Sequence, residues 1–248
     1  MPSNKEKWEY FGAEDPYFGV STYEKFKSAN IDDDAKNEFF ETGEEHISNV
    51  VSEIRRVFDA DFSPKESLDY GCGVGRLVFP LAKVSEKVTG VDISQPMLAE
   101  ARANAERMGV TNAKFRSVDE FLSDREPEFD LVHSLIVFQH IEPKFGLELL
   151  REVILRMKIG GFGALQFTYE HVGTTAEKLR FRAYRDLPLV YKLRNIALRK
   201  KDEPLMSIYS YDLQALLAVF REFAGDRVMM HFTDHGFLGV TVFFQRVR

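Results

Sequence analysis

The residues whose types and spacing point to chemistry begin at Asp69-Tyr70-Gly71-Cys72-Gly73-Val74-Gly75, three glycines at alternate positions directly behind a short apolar run. Glycine adopts backbone angles closed to other residues and lets the main chain approach a ligand closely. Such a loop at the carboxyl end of a strand cradles a nucleotide-like ligand. Asp92 ends the next β-rich run, where a carboxylate can accept hydrogen bonds from both hydroxyls of a ribose; its bland alternative is a strand-end cap. Cys72, the single cysteine, reads as a small loop residue and not as a nucleophile. One cysteine supplies neither a disulfide framework nor a cysteine zinc site, and no metal site is expected. Further along stand His140, then Tyr169, Glu170 and His171, then His235.

These residues need elements to position them, and the pattern from Ser67 onward supplies them. Short β-rich runs alternate with helical ones. Strands are expected at Ser67 to Tyr70, Lys87 to Val91, Ala113 to Ser117, Phe129 to Leu135 and Phe162 to Thr168. Helices are expected at Val74 to Val84, after the cap Ser94 with Pro96 in its first turn and Gly109 beyond its end, and at Lys144 to Lys158. A Gly160-Gly161 turn precedes the fifth strand. This alternation means a parallel sheet covered by helices on both faces. A helix from Tyr211 to Phe223 and two final strands around Asp234-His235-Gly236 close the chain as a hairpin.

Upstream, Thr42-Gly43-Glu44-Glu45 reads as a capping box opening an amphipathic helix through Ile47, Val50, Val51, Ile54, Val57 and Phe58. The first thirty residues hold Trp8, Tyr10, Phe11, Tyr17, Phe18, Tyr23 and Phe26 without a clean period, and read as a packed arm or lid. With no internal repeat or linker, the chain divides only into regions of one domain. These are an arm (1–42), a ligand-binding core (43–170), a basic helical cap (171–209) and a terminal helix and hairpin (210–248).

Spacing decides which nucleotide-like ligand the loop selects. The dinucleotide fingerprint requires a third glycine three residues after the second, where helix and strand pack closely, and Arg76 stands there. Leu68 to Arg76 resembles the first motif of class I S-adenosylmethionine-dependent methyltransferases. Val91-Asp92-Ile93-Ser94 is similar to the acidic second motif, and Phe115 with Asp119 to the third. Phe129-Asp130-Leu131-Val132 with Ser134 resembles the fourth strand, and Met157 to Gly161 the turn before the fifth, with Ile159 where a proline is usual. The resemblance spans about Glu66 to Thr168, all motifs in order. It implies a Rossmann-like fold with a mostly parallel seven-stranded sheet, a C-terminal antiparallel hairpin, an inserted helical cap, and S-adenosylmethionine as cofactor. Carried over by position, Asp69 meets the cofactor's amino group, while Gly71, Cys72, Gly73 and Arg76 belong to the loop around its methionine part. Asp92 holds the ribose, Ile93 packs on the adenine, Asp119 meets the adenine amino group and Ser134 lies beneath the sulfonium. Asp119 has the alternative of capping the following helix.

The acceptor is less constrained. Ser134-Leu135-Ile136-Val137 is not the Asn/Asp-Pro-Pro-Tyr used on DNA bases and amide nitrogens. His140 and Tyr169 leave the fourth and fifth strands where an acceptor enters and are the candidates for a general base; a loop-stabilising role is the alternative for His140. From Glu177 to Lys201 nine basic residues face two acidic ones, a block of +7 in a chain of net charge −6. The block reads as amphipathic helices broken at Pro188. His171, Arg180, Arg182 and Arg185 are therefore candidates for contacts to an acidic acceptor, or the block rests on anionic lipid.

The leading expectation is O-methylation of a sugar, glycan precursor or secondary metabolite that is acidic or lipid-linked. Alternatives are a non-catalytic cofactor-binding protein engaging a partner or membrane, and an RNA methyltransferase using the basic block. The net acidity argues against DNA and generic nucleic-acid partners. No apolar run reaches the roughly 18 residues of a membrane span, so a cytoplasmic protein with at most peripheral membrane contact is expected.

Overall fold

The computed structural model describes residues 3–126, 128–197 and 203–248. Two helices, α1 (Asn4–Glu14) and α2 (Pro16–Val20), precede a long helix α3 (Asp33–Val57). The sheet then begins with β1 (Glu66–Tyr70), followed by α4 (Val78–Val84), β2 (Lys87–Asp92), α5 (Gln95–Arg107), β3 (Ala113–Ser117) and α6 (Val118–Ser123). Next come β4 (Phe129–Ser134), α7 (Pro143–Leu155) and β5 (Met157–Glu170). The basic region forms α8 (Thr175–Asp186) and α9 (Pro188–Ala197), and the chain ends with α10 (Leu213–Ala224), β6 (Val228–Asp234) and β7 (Leu238–Gln245).

The strand order is β3-β2-β1-β4-β5-β7-β6. β1 pairs in parallel with both β2 and β4, while β7 runs antiparallel between β5 and β6. The order reverses between β1 and β4, which is where open α/β sheets leave a crevice for ligand at their carboxyl ends. One core beneath the sheet is built on Ile47, Val50 and Ile54 of α3 and Val78 and Leu81 of α4. The other packs Leu150, Val153 and Ile154 of α7 and Phe220 of α10 on Leu165 and Phe167. The expected fold class is therefore the one observed.

Several local signals behave as their chemistry requires. Ser94 caps α5, its hydroxyl accepting from the Met97 amide at 3.3 Å, and Gly109 after that helix has φ 66°. Pro188 separates α8 from α9, and Gly236 (φ 84°) turns the terminal hairpin.

Three boundaries differ. The expected helix start at Thr42 is overturned: α3 is capped by Asp32, which accepts from the Ala35 amide, and Thr42 lies mid-helix with its hydroxyl donating to the Phe39 carbonyl. An arm ending at residue 42 would therefore cut a continuous helix. Gly43 serves another purpose, because a methyl there would overlap the Arg76 carbonyl. The helix after the glycine loop begins at Val78, not Val74, since Val74 to Leu77 form turns. Gly160-Gly161 is an irregularity inside β5, which runs unbroken from Met157, so Lys158 is a strand residue. Within residues 3–30, α1, α2 and the turns after them pack Phe11, Tyr17 and Phe26 into the core. Of the basic block, Arg199, Lys200 and Lys201 lie outside the described residues.

Candidate active site

The glycine loop crosses the carboxyl ends of β1 and β2. The Gly71 and Cys72 amides donate to the Val91 carbonyl at 2.7 and 2.9 Å, tying the loop to the neighbouring strand. Gly71 and Gly73 have φ of 79° and 51°. A Cβ on Gly71 would overlap Val137 from the loop after β4, and one on Gly73 would overlap Val20 of α2. These two glycines thus form a cradle that only a residue without a side chain can form.

Asp92 completes the cradle. Its Oδ2 accepts from the Gly73 amide and its Oδ1 from the Ser94 amide, both at 2.9 Å. Burial pushes its carboxyl up to about 6, against the pull of the backbone amides. Each carboxylate oxygen has a second lone pair, so these bonds leave capacity for the two hydroxyls of a ribose. Capping and ribose binding are compatible roles here. Cys72 is buried, and its thiol is pushed well up by burial and by Asp92 and Asp69, which removes it as a nucleophile.

Behind the loop lies a chain that inspection of the sequence passed over. His133 faces Asp69 in the β1–β4 register, and its Nδ1 donates to Asp69 Oδ1 at 2.9 Å. Its Nε2 lies 2.9 Å from His46 Nε2 of α3, so one of the two rings donates to the other. Burial, with His133 and Arg76 nearby, lowers the His46 imidazole to about 3. Arg76 sits over the Phe39 ring and donates from Nη1 to Thr42 Oγ1 at 3.2 Å, while its buried Nε has no partner. The one available signal was His133 itself, an ionisable residue directly behind Leu131 and Val132 in β4.

The remaining expected ligand-binding positions are dispersed around this centre. Ser134 is buried and its hydroxyl donates to the Tyr70 carbonyl at 2.8 Å, joining the ends of β4 and β1. Ile93 follows Asp92 and is half-buried. Asp119 is exposed in the first turn of α6, and the cap of that helix is Ser117, paired with Glu120 in a capping box. The alternative of Asp119 as cap is thereby removed.

The loop after β4 contains Ile136 at φ 58°, a strained angle for a β-branched residue costing about 1–3 kcal/mol. Its amide donates to Gln166 Oε1 at 3.1 Å. Beside it is a polar cluster of fixed polarity. Gln139 Oε1 accepts from the Thr168 hydroxyl at 2.7 Å and from His235 Nε2 at 3.1 Å. The Gln139 amide donates to His140 Nε2 at 3.3 Å, and His140 Nδ1 donates to the Ser207 carbonyl at 2.8 Å. Burial lowers the His140 imidazole to about 4, so it is neutral at physiological pH. His235, expected in a structural turn, thus joins His140 through Gln139. Tyr169 is not part of this cluster: alternation along β5 turns it away from Thr168, onto the Phe232 ring at 5.7 Å.

The N-terminal helices cover both halves. Trp8 packs edge-on against the His140 ring at 5.0 Å, and Lys7 Nζ donates to Ser207 Oγ at 2.8 Å. Tyr17 donates to Glu100 Oε1 at 2.7 Å, tying α2 to α5. In the cap, the His171 ring lies between Phe181 and Phe237 at 4.8 and 4.6 Å, with a buried Nε2 that has no partner. Arg180 and Arg182 are exposed, whereas Arg185 pairs with Asp186 and lies over the Tyr209 ring at 4.8 Å. Among the described residues no group of three His, Cys, Asp or Glu side chains is placed to hold a metal ion.

Residues 68–161 match the methyltransferase domain family. The ubiquinone biosynthesis O-methyltransferase of Roseobacter denitrificans is 31% identical over 101 residues, covering 38% of this chain and 41% of that protein. The enzyme of that name from Methylococcus capsulatus is 30% identical over 103 residues, covering 40% and 44%. The chain thus spans less than half the length of these curated relatives. The magnesium protoporphyrin IX methyltransferase of Synechocystis, solved with bound SAH, superposes with a TM-score of 0.60 at 20% identity, covering 96% of this chain and 97% of that one. That likeness is one of fold.

Proposed function

We propose, from the premise that this chain belongs through residues 68–161 to the class I methyltransferases, that it methylates an oxygen of a small anionic or lipid-linked acceptor using S-adenosylmethionine. The observation that carries the proposal is the cradle of Gly71, Gly73 and Asp92 at the point where the strand order reverses. An oxygen acceptor draws support from the relatives whose printed names are O-methyltransferases.

The bound cofactor supplies an activated methyl group, and the protein's contribution is alignment and exclusion of water. Gly71, Cys72 and Gly73 would line the methionine part with backbone, and Asp69, held in place by His133, would take its amino group. Asp92 would receive the ribose hydroxyls, Ile93 and Asp119 would hold the adenine, and Ser134 and Arg76 would complete the surroundings of the sulfonium and the loop. His140 is the base assigned to the acceptor, a role in which an acceptor hydroxyl would have to replace the Gln139 side-chain amide as donor to its Nε2. His171, Arg180, Arg182 and Arg185 form the basic side of the acceptor entrance, suited to a carboxylate or phosphate.

The test is transfer of labelled methyl from S-adenosylmethionine to panels of anionic sugars, phenolic acids and lipid extract. Labelled product that depends on Asp92 supports the proposal. Absence of transfer to every panel by protein that binds S-adenosylhomocysteine favours a non-catalytic binding role.

A further inference from the structure

Helix α9 is built inside out. Along α9, Leu189, Leu193 and Ile196 form one stripe at helical spacing, and they are 69%, 57% and 64% exposed. The inward side of the same helix carries polar groups: Asn195 is buried, and the Arg194 guanidinium lies over the Tyr184 and Tyr191 rings at 5.4 and 5.7 Å. On α8 and the bend after it, Leu179 and Leu187 are likewise 61% and 56% exposed. A water-facing helix ordinarily reverses this arrangement, and contiguous exposed apolar surface marks an interaction site.

Lys192 flanks the stripe on α9 itself, and Arg180 and Arg182 lie on the neighbouring α8, all exposed. Within Thr175–Ala197 six basic residues (Lys178, Arg180, Arg182, Arg185, Lys192, Arg194) face two acidic ones (Glu177, Asp186). Apolar side chains flanked by long basic ones are what an anionic bilayer surface accepts: leucines enter the acyl boundary while cations remain at the headgroups. A second copy is a poorer occupant. Symmetric pairing of the stripe would place one basic hairpin against another and set like charges together.

We propose that the α8–α9 hairpin docks this protein on anionic membrane surfaces, with Leu189, Leu193 and Ile196 inserted and Arg180, Arg182 and Lys192 at the headgroups. No described helix is long and apolar enough to cross a membrane, so the contact is peripheral. The docking stands independently of methyl transfer. Its consequence, delivery of a membrane-borne acceptor to the mouth beside His171, rests on the proposed activity.

The experiment is sedimentation of the full chain with vesicles of phosphatidylcholine alone, and of phosphatidylcholine with an equal amount of phosphatidylglycerol. Calorimetric binding of S-adenosylhomocysteine serves as a check on the fold of each variant, with analytical ultracentrifugation on the same samples. Wild type is expected to sediment with the anionic vesicles only and to be released by salt. The Leu189→Ser/Leu193→Ser/Ile196→Ser variant should lose that binding. Arg180→Gln/Arg182→Gln/Lys192→Gln should lose roughly fivefold in vesicle affinity per charge removed. The proposal is overturned if folded wild type ignores anionic vesicles, or if the serine variant binds them as wild type does. It is equally overturned if the serine changes only convert a dimer to a monomer. A chain that binds vesicles but not S-adenosylhomocysteine would retain the docking and lose the enzymatic reading; fold would then be checked by circular dichroism.

Discussion

His133 Nδ1 donates to Asp69 Oδ1 at 2.9 Å across the β1–β4 pair, with both side chains almost fully buried. Through this imidazole, His46 of α3 is joined to the residue that begins the glycine loop. Removing the imidazole leaves a buried carboxylate without this donor. His133→Leu is expected to lower stability by about 2 kcal/mol, the scale of a hydrogen bond to a charged group. A shifted urea midpoint at unchanged slope, together with weaker S-adenosylhomocysteine binding, would show it. An unchanged midpoint would mean that the bond contributes nothing.

The two depressed histidines predict a pH dependence. His46 and His140 fall from 6.5 to about 3 and about 4. Below pH 6.5 the unfolded chain takes up protons that the folded chain refuses, so their contribution is complete above that value and is lost as pH falls towards 4 and 3. Asp92 acts in the opposite sense, because its carboxyl rises from 3.8 to about 6 and stability is lost as pH climbs through that interval. The histidine shifts are jointly larger, so the urea midpoint should fall between pH 7 and pH 4. His46→Gln should flatten the decline, and an unaltered profile would count against the buried neutral imidazole.

Asp92 predicts a second pH effect, on ligand. A carboxyl near 6 begins to protonate just below neutral pH and loses acceptor capacity. S-Adenosylhomocysteine affinity should therefore weaken as pH drops through 6 in wild type. In Asp92→Asn it should be weaker throughout and flat over the same range. A sloping profile in the variant would assign the effect to another group.

Gly71 combines a positive φ with contact to Val137. Gly71→Ala should abolish detectable cofactor binding and destabilise the fold by about 1–3 kcal/mol. Adding Val137→Ala removes the overlap and leaves the backbone cost, so the double variant should recover stability in part. Full recovery would show that φ is immaterial, and no recovery that the overlap is.

The cap arginines should separate by role. Arg180→Gln/Arg182→Gln is expected to raise acceptor KM several-fold with cofactor affinity intact. Arg185→Gln removes the pairing with Asp186 and the contact to Tyr209, and should loosen the cap as well. Steady-state kinetics on an identified acceptor would check both. Equal acceptor KM in wild type and the double variant would exclude an anion contact there.

What the sequence reveals follows from whether a residue's role is local. Ser94 caps, Pro188 breaks and Gly236 turns through their own backbone chemistry, and each acts in the structure as its type requires. The glycine loop and Asp92 were legible for the same reason, being set by strand ends and spacing. Thr42 misled because Thr-Gly-Glu-Glu mimics a cap, while Gly43 is present for a partner distant in sequence, the Arg76 carbonyl. His133, Gln139 and Val20 were invisible because their roles depend on which strand or helix lies opposite. The His133 pairing requires β4 beside β1, a neighbourhood that only the sheet order supplies. The outward stripe of α9 was hidden too, since periodicity marks an amphipathic helix without saying which side meets water.

The cradle around Asp92 bears most of the functional account, and calorimetric titration with S-adenosylhomocysteine tests it most directly. Wild type, Asp92→Ala and an NADH control would be run side by side. The account predicts binding by wild type, affinity lower by roughly a hundredfold in Asp92→Ala from about 3 kcal/mol of lost charge-assisted hydrogen bonding, and none for NADH. Folded wild type that leaves S-adenosylhomocysteine unbound would contradict it, and the glycine loop would then belong to a different ligand.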